Sequence, residues 1–453
     1  MLMVDDWYER LGLNEIIGQL KTKGIALDAL VRGLLAYKMG DNFSVLQASE
    51  WLNRPEMLEQ YELRSFDEKT LYRAVETLGH NRERIVRSLQ DRVLELLGYP
   101  PTDVLLDWTS IALYGGMSDL AKYGYSRDHQ PGERQLTLGA AMLAPPYDIP
   151  IGLTVEAGNV NDQTHMRSTY GQIRRLLGPG SLVVFDRGAN DKSNLERIEL
   201  DSNDYLTAKK LNQCDDQYFM SFSPDIWECI DAGDGVYALK RSFPSRVNYY
   251  FFSKKLKRDH LKSCRKKAER LLAEAKAIQA SLDKGKKLPK RFRINNPLVD
   301  VKYDYQTRLT DLPEEEAFRL LLKEVVTGRE GCFCITSNRD MPAAEALKIY
   351  RGKDGIEKLF HSLKSEIEIK PVRVWTDDAV HGVLLIGFIA QVMISLTRHF
   401  IKPVKRMSTK FIIAALQKLT LTLVSLGDGR KRRFFSNFDP VNQAILAEYL
   451  SGT

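Results

Sequence analysis

Several features are scarce or missing in this sequence, and each absence removes a class of protein. No apolar run is long enough to span a membrane. The longest, 383–396, holds Gln391, is bounded by His381 and Arg398, and reads as a buried helix, so no membrane partner is expected. With Asp5 and Asp6 close behind Met1 and no apolar stretch with a cleavage site after them, no signal peptide is expected. Cysteine is sparse and odd in number: Cys214, Cys229, Cys264, Cys332 and Cys334 form no disulfide framework. Cys332 and Cys334 lie in a strand-like apolar run without zinc spacing. Internal repeats and low-complexity segments are absent. A reduced cytoplasmic protein without structural zinc is expected.

What is present is a long chain of 453 residues, 43% hydrophobic and 28% charged. That suffices for roughly two to four domains with buried cores. The net charge of +7 is unevenly spread. Residues 254–293 hold 16 basic and 4 acidic residues, a local +12, which leaves −5 for the remainder. A basic patch on an otherwise acidic protein attracts a polyanion, and nucleic acid is the first candidate. A solvated helix face is the alternative.

Residues 1–98 read as helices, with apolar residues at the 3.6 period over 26–38, 69–78 and 81–97. The stretch 65–73 either opens a recognition helix or belongs to an all-helical packing module. At Pro100 and Pro101 the pattern changes. Strands are expected at 104–114, 136–143 and 151–156, a helix at 162–177, and a strand at 181–186. A turn at 187–190, a helix at 192–200 capped by Asp191, and a strand at 205–208 follow. Short connections suit antiparallel hairpins and the helical ones suit parallel crossovers, so the sheet is mixed, with helices on it. Residues 209–331 interrupt this scheme with scattered strands and the basic helix 254–283. The scheme resumes with a strand at 332–336 and a helix at 342–350. A buried helix at 379–399, a helix at 410–418, a basic turn at 430–433 and a helix from Val441 complete it.

The stretch 350–364 carries the most chemistry. On one helix, Tyr350, Lys353, Glu357, His361 and Lys364 share a face beside the apolar residues Ile356, Leu359, Phe360 and Leu363. An acid among cations and a phenol suits a site for metal and phosphate. The same residues also fit a capping box, with Asp354 as cap and Glu357 folding back, and Gly352 and Gly355 favour a break. Two strand acids supply partners. Asp107 interrupts a run of Val and Leu, and Asp186 ends an apolar strand; on adjacent strands they repel unless a cation sits between them. Asp107, Asp186 and Glu357 form an all-oxygen set suited to Mg²⁺ or Mn²⁺ rather than zinc. Two such ions, about 4 Å apart, activate a water or a 3′-hydroxyl and stabilise the leaving oxygen of a phosphodiester.

These motifs together resemble the DDE transposases of prokaryotic insertion sequences. The resemblance is to the group with the tyrosine–arginine–glutamate–lysine signature, in its branch with an N-terminal helical domain and a long insertion before the glutamate. The signature stands as Tyr350, Lys353, Glu357 and Lys364, followed by Pro371, Val372, Arg373, Val374 and Trp375, and by His381 and Gly382. Asp186, Arg187 and Gly188 resemble the second motif, Asp107 and Trp108 the first, and Gly158, Asn159 and Asp162 a further one. Two departures stand out: Lys353 replaces the usual arginine, losing its bidentate fork, and Trp108 follows the first aspartate in place of a small hydroxyl residue. The resemblance implies an α/β fold with an RNase H-like mixed-sheet catalytic core interrupted by a large α+β insertion. The expected parts are an N-terminal helical domain (1–98), the first part of the core (99–208), the insertion (209–331), and the second part with C-terminal helices (332–453).

It further implies metal-dependent DNA cleavage at element ends and strand transfer. Asp107, Asp186 and Glu357 would hold two Mg²⁺, with Mn²⁺ able to substitute. Tyr350, Lys353, Lys364 and Arg187 would contact DNA near the scissile bond. Lys254, Lys255, Lys266 and Lys267 of the basic insertion would bind double-stranded element ends, in a homodimer on DNA, in the nucleoid. An RNase H-like nuclease without strand transfer, or a domesticated DNA-binding protein without catalysis, are the alternatives.

Overall fold

The computed structural model describes residues 2–21, 23–40, 44–114, 118–128, 130, 132–220, 222–223, 225–286, 298, 301–302, 305–306, 312–369, 372, 374–425 and 431–450. The end of the basic stretch (287–293), Pro371 and Arg373 of the motif after Lys364, part of the loop at 115–117, and Arg430 of the expected turn lie outside them.

Seven helices come first: α1 (Leu2–Arg10), α2 (Leu13–Gly18), α3 (Leu27–Gly40), α4 (Val45–Leu52), α5 (Pro55–Gln60), α6 (Glu68–His80) and α7 (Arg82–Leu96). Then follow β1 (Val104–Ala112), β2 (Gln135–Leu143), β3 (Pro150–Ala157), α8 (Asp162–Ile173), β4 (Leu182–Phe185), α9 (Lys192–Leu200) and β5 (Asp204–Lys209). The next group is α10 (Gln213–Met220), β6 (Glu228–Asp231), β7 (Val236–Phe243), β8 (Arg246–Ser253), α11 (Lys254–Asp283), the two-residue β9 (Val301–Lys302) and β10 (Tyr305–Gln306), α12 (Glu314–Val325), β11 (Cys332–Ser337) and α13 (Ala343–Arg351). The last are α14 (Asp354–His361), a π-helical turn (Ser362–Glu366), α15 (Asp377–Phe400), α16 (Thr409–Lys418), β12 (Thr420–Ser425), β13 (Lys431–Ser436) and α17 (Pro440–Leu450).

Two compact units result, 1–205 with 349–453, and 206–348. In the first, strands run in the order β3-β2-β1-β4. β1 is antiparallel to β2, with Asp107 opposite Ala140, and parallel to β4, with Leu105 opposite Val184 and Leu106 opposite Phe185. This sheet is mixed because hairpins join β1 to β2 and β2 to β3, whereas the path to β4 runs through α8. Helix starts are capped as the side chains dictate: Asn161 accepts from the Thr164 backbone N–H, Asp191 from Ser193, and Thr376 from Ala379.

The expectation that this apolar stretch is too short to cross a membrane is corrected: α15, with 24 residues, is long and apolar enough by length and composition, and it is buried over most of its length in this unit. The N-terminal helices pack directly on it and on the sheet. Trp7 Nε1 donates to Thr397 Oγ1 at 2.8 Å, and Gln90 Nε2 donates to the Ile151 carbonyl at 2.7 Å. Helix α6, over the stretch 65–73, buries Leu71, Ala74, Val75 and Leu78 and leaves Tyr72 and Arg73 exposed. One expectation is corrected: Lys431–Ser436 is a strand of a hairpin with β12, not a turn.

The second unit has strands in the order β5-β11-β8-β7-β6, with antiparallel pairings. Helices α11 and α12 share a small core of Ala268, Ala275, Ile278, Ala317 and Leu321.

Candidate active site

Successive residues of a strand face opposite sides of the sheet. On β1, Asp107 and Thr109 therefore face one side and Trp108 the other. Trp108 Nε1 donates to Thr169 Oγ1 of α8 at 3.0 Å, within a buried network in which Thr154 and Thr137 hold the two ring nitrogens of His165. Asp107 faces the segment 350–364. The parallel register that pairs Leu106 with Phe185 puts Asp186 beside Asp107, just past the end of β4.

The two carboxylates differ in setting. Burial, helped by the charge of Asp186, pushes the Asp107 carboxyl up to about 6, against the pull of Lys353, the Trp108 backbone and Arg127. For Asp186, burial also pushes upward, but Lys353, the Arg187 backbone N–H and Tyr350 outweigh it and hold this carboxyl below its ordinary value. Tyr350 Oη donates to Asp186 Oδ1 at 2.9 Å, and burial with the neighbouring acids keeps its phenol protonated. Lys353 Nζ lies 3.5 Å from the same Oδ1 and 5.4 Å from the centre of the Tyr350 ring.

The segment 350–364 is not one helix. It breaks between α13 and α14 at Gly352 and Lys353, and Lys353 rather than Asp354 occupies the cap position of α14. The capping box does not form: Asp354 pairs with Lys358, and the Glu357 backbone N–H bonds to the Lys353 carbonyl. Gly355 permits the close approach to β2, since a Cβ there would meet Met142 Cε at 2.9 Å. Glu357 and His361 are exposed, with Glu357 one turn beyond Lys353 on α14.

Lys364 does not present its charge outward. Its Nζ donates to Thr109 Oγ1 at 2.8 Å, the Ser110 carbonyl at 2.7 Å and Asp128 Oδ1 at 2.9 Å. Arg187 is exposed beside Asp186. Lys254, Lys255, Lys266 and Lys267 are exposed on α11 of the other unit, where Lys255 pairs with Asp234 at 3.4 Å.

The structure thus brings together Asp107, Asp186, Tyr350 and Lys353, and leaves Glu357 out of direct contact with them. Among the described residues, no group of three or more His, Cys, Asp or Glu is gathered at metal-holding distance. The donor chemistry nevertheless fits a hard divalent cation: two neighbouring carboxylates, one of them half-buried within a strand and in need of positive charge. Sequence reasoning missed Arg127 and Asp128. Arg127 Nη2 donates to both oxygens of Asp162 at 2.7 and 2.5 Å, and its backbone N–H donates to Ser110 Oγ at 2.9 Å. Asp162 in turn lies under Gly188, where a Cβ would come within 2.4 Å of its Oδ2. The signal was an adjacent arginine and aspartate in the charged loop after β1.

No curated protein matches the chain. Among solved structures, the cryo-EM structure of a piggyBac transposase synaptic complex with hairpin DNA is similar with a TM-score of 0.41 at 10% sequence identity. That comparison covers 91% of this chain and 78% of the other. The family profile described as "Transposase DDE domain" matches residues 98–393, which contain Asp107, Asp186, Tyr350, Lys353, Glu357 and Lys364. With more than half of its length matched, the chain belongs to the DDE transposase family.

Proposed function

We propose that this protein cleaves DNA at the ends of a prokaryotic insertion sequence and transfers the freed strand into target DNA, using an RNase H-like core. The observation that carries the reading is that Asp107, in the middle of β1, stands beside Asp186, just past the end of the adjacent parallel strand β4, next to Tyr350 and Lys353, in a DDE transposase chain. Asp107, Asp186 and Glu357 are the residues to hold divalent metal, Mg²⁺ or Mn²⁺. When bound, two such ions supply an activated water or 3′-hydroxyl and neutralise the leaving oxygen.

The chain's own residues do the rest. Tyr350 fixes the rotamer of Asp186 through its phenol. Lys364 ties β1 to the π-helical turn and the 118–128 segment, so it sets the position of Asp107 rather than touching DNA. Arg187, exposed beside Asp186, is one cation available to a DNA phosphate. Helix α11, with Lys254, Lys255, Lys266 and Lys267, supplies backbone contacts to duplex DNA, and a homodimer pairs two ends. The site of action is the nucleoid.

The DNA flanking the gene identifies the substrate, as inverted repeats bounded by short direct repeats. On a duplex of that end, Asp107→Asn, Asp186→Asn and Glu357→Gln are each expected to abolish Mg²⁺-dependent cleavage and to leave binding largely intact. Full cleavage by Glu357→Gln removes Glu357 as the third ligand. Cleavage without joining, in a strand-transfer assay with target plasmid, reduces the reading to a nuclease.

A further inference from the structure

Lys353 is only 7% exposed. A buried ammonium needs an anion close by, and Lys353 Nζ lies 3.5 Å from Asp186 Oδ1, which the parallel register of β1 and β4 puts beside Asp107. The chain itself thus supplies a cation to the two carboxylates. A divalent ion held by the same pair would stand close to the Lys353 ammonium, and like charges in a partly dry site repel.

We propose that Lys353 is an exchangeable counter-ion: it neutralises Asp107 and Asp186 in the DNA-free protein and withdraws toward a DNA phosphate, opening the pair to a divalent ion. This rests on the reading of Asp107 and Asp186 as metal ligands. DNA and metal then reinforce each other through one side chain, and by linkage the reinforcement is reciprocal. A lysine suits the role, because a compact ammonium on a flexible stem leaves one partner for another more easily than a bidentate guanidinium does.

The test is calorimetric titration of Mn²⁺ into the full chain without DNA, which reads binding and not activity. Lys353→Met and Lys353→Gln are expected to bind Mn²⁺ about tenfold more tightly than the unsubstituted chain, through removal of a nearby like charge. Asp107→Asn serves as the form lacking a ligand. A duplex of the element end should raise Mn²⁺ affinity in the unsubstituted chain and leave that of Lys353→Gln nearly unchanged. Equal or weaker Mn²⁺ binding by variants whose thermal melts show them folded overturns the exchange and leaves the metal reading standing. Absence of Mn²⁺ binding in every form, with and without DNA, overturns both. Should neither variant fold, the unsubstituted chain decides: a Mn²⁺ affinity unmoved by DNA overturns the exchange.

Discussion

Trp108 follows Asp107 where the family resemblance leads one to expect a small hydroxyl residue, and the two-residue alternation of a strand explains why the large ring fits. It lies on the sheet face opposite the carboxylate, where its N–H finds Thr169 and Gly139 leaves room; a Cβ on Gly139 would come within 2.8 Å of Trp108 Nε1. Lys364 departs from expectation in the other direction, with its ammonium fully used inside the unit. Lys364→Met leaves Asp128 without this ammonium and unties β1 from the π-helical turn, and is expected to lower stability by about 2–4 kcal/mol in urea titrations.

A third lysine sets a pH dependence. Lys38 on α3 is buried, its Nζ donates to the Glu368 carbonyl at 2.9 Å, and burial lowers its pKa to about 8. The unfolded chain holds this proton up to about pH 10.4, so between these values it binds more protons than the folded chain, and stability rises with pH. Denaturation at pH 7.5 and 9.5 should show that rise, and Lys38→Met should remove it.

At the level of elements, α6 and α15 meet backbone to backbone. A Cβ at Gly79 would lie 1.8 Å from the Asp378 carbonyl oxygen, and one at Gly382 would lie 2.0 Å from that of Val75. Gly79→Ala and Gly382→Ala must push the helices apart and are expected to cost about 3 kcal/mol or more, as overpacking against rigid backbone does. Gly171→Ala in α8 meets open space and should instead stabilise by about 0.5–1 kcal/mol, from helix propensity alone. Thermal melts of the three variants separate the two effects.

Elements of this kind were largely legible in the sequence. The strand at Val104–Ala112, the helix at Lys192–Leu200 and the long helix at Lys254–Asp283 stand where periodicity and capping residues placed them. The hairpin β12–β13 was missed although the stretch 419–424 alternates at period two, because the basic residues of β13 read as a turn. In the site, the neighbourhood of Asp107 and Asp186 followed from the strand order. The break at Gly352 was signalled by its glycines, but where Lys353 and Lys364 point was not. Side-chain direction after a helix break depends on tertiary partners such as Asp128 and Thr109, which are more than 200 positions away in sequence.

At the scale of the molecule, the charge of α11 is concentrated in a unit distinct from the one that holds the acids. Reversing Lys266 and Lys267 together is expected to weaken duplex binding and to lower the salt slope by about 1 for each phosphate that the helix no longer neutralises. Binding measured at several salt concentrations checks this, and an unchanged slope makes the helix face a solvated one.

The partnership of α1 and α6 with α15 has a consequence for synthesis. The second unit, 206–348, is a continuous stretch and is made before the first can close. Until α15 leaves the ribosome, the faces of α1, α3 and α6 that pack on it have no cover, and Trp7 waits for Thr397 across 390 residues. Domains generally fold as they emerge, but here the sheet beside Asp107 and Asp186, whose strands β1–β4 are all made by residue 185, lacks the packing of α15 on β3 until the chain is nearly finished. A nascent chain halted before residue 377 is expected to be cut by protease in α1, α3 and α6 and to resist it in β7 and β8 of the second unit, as limited proteolysis of stalled chains would check.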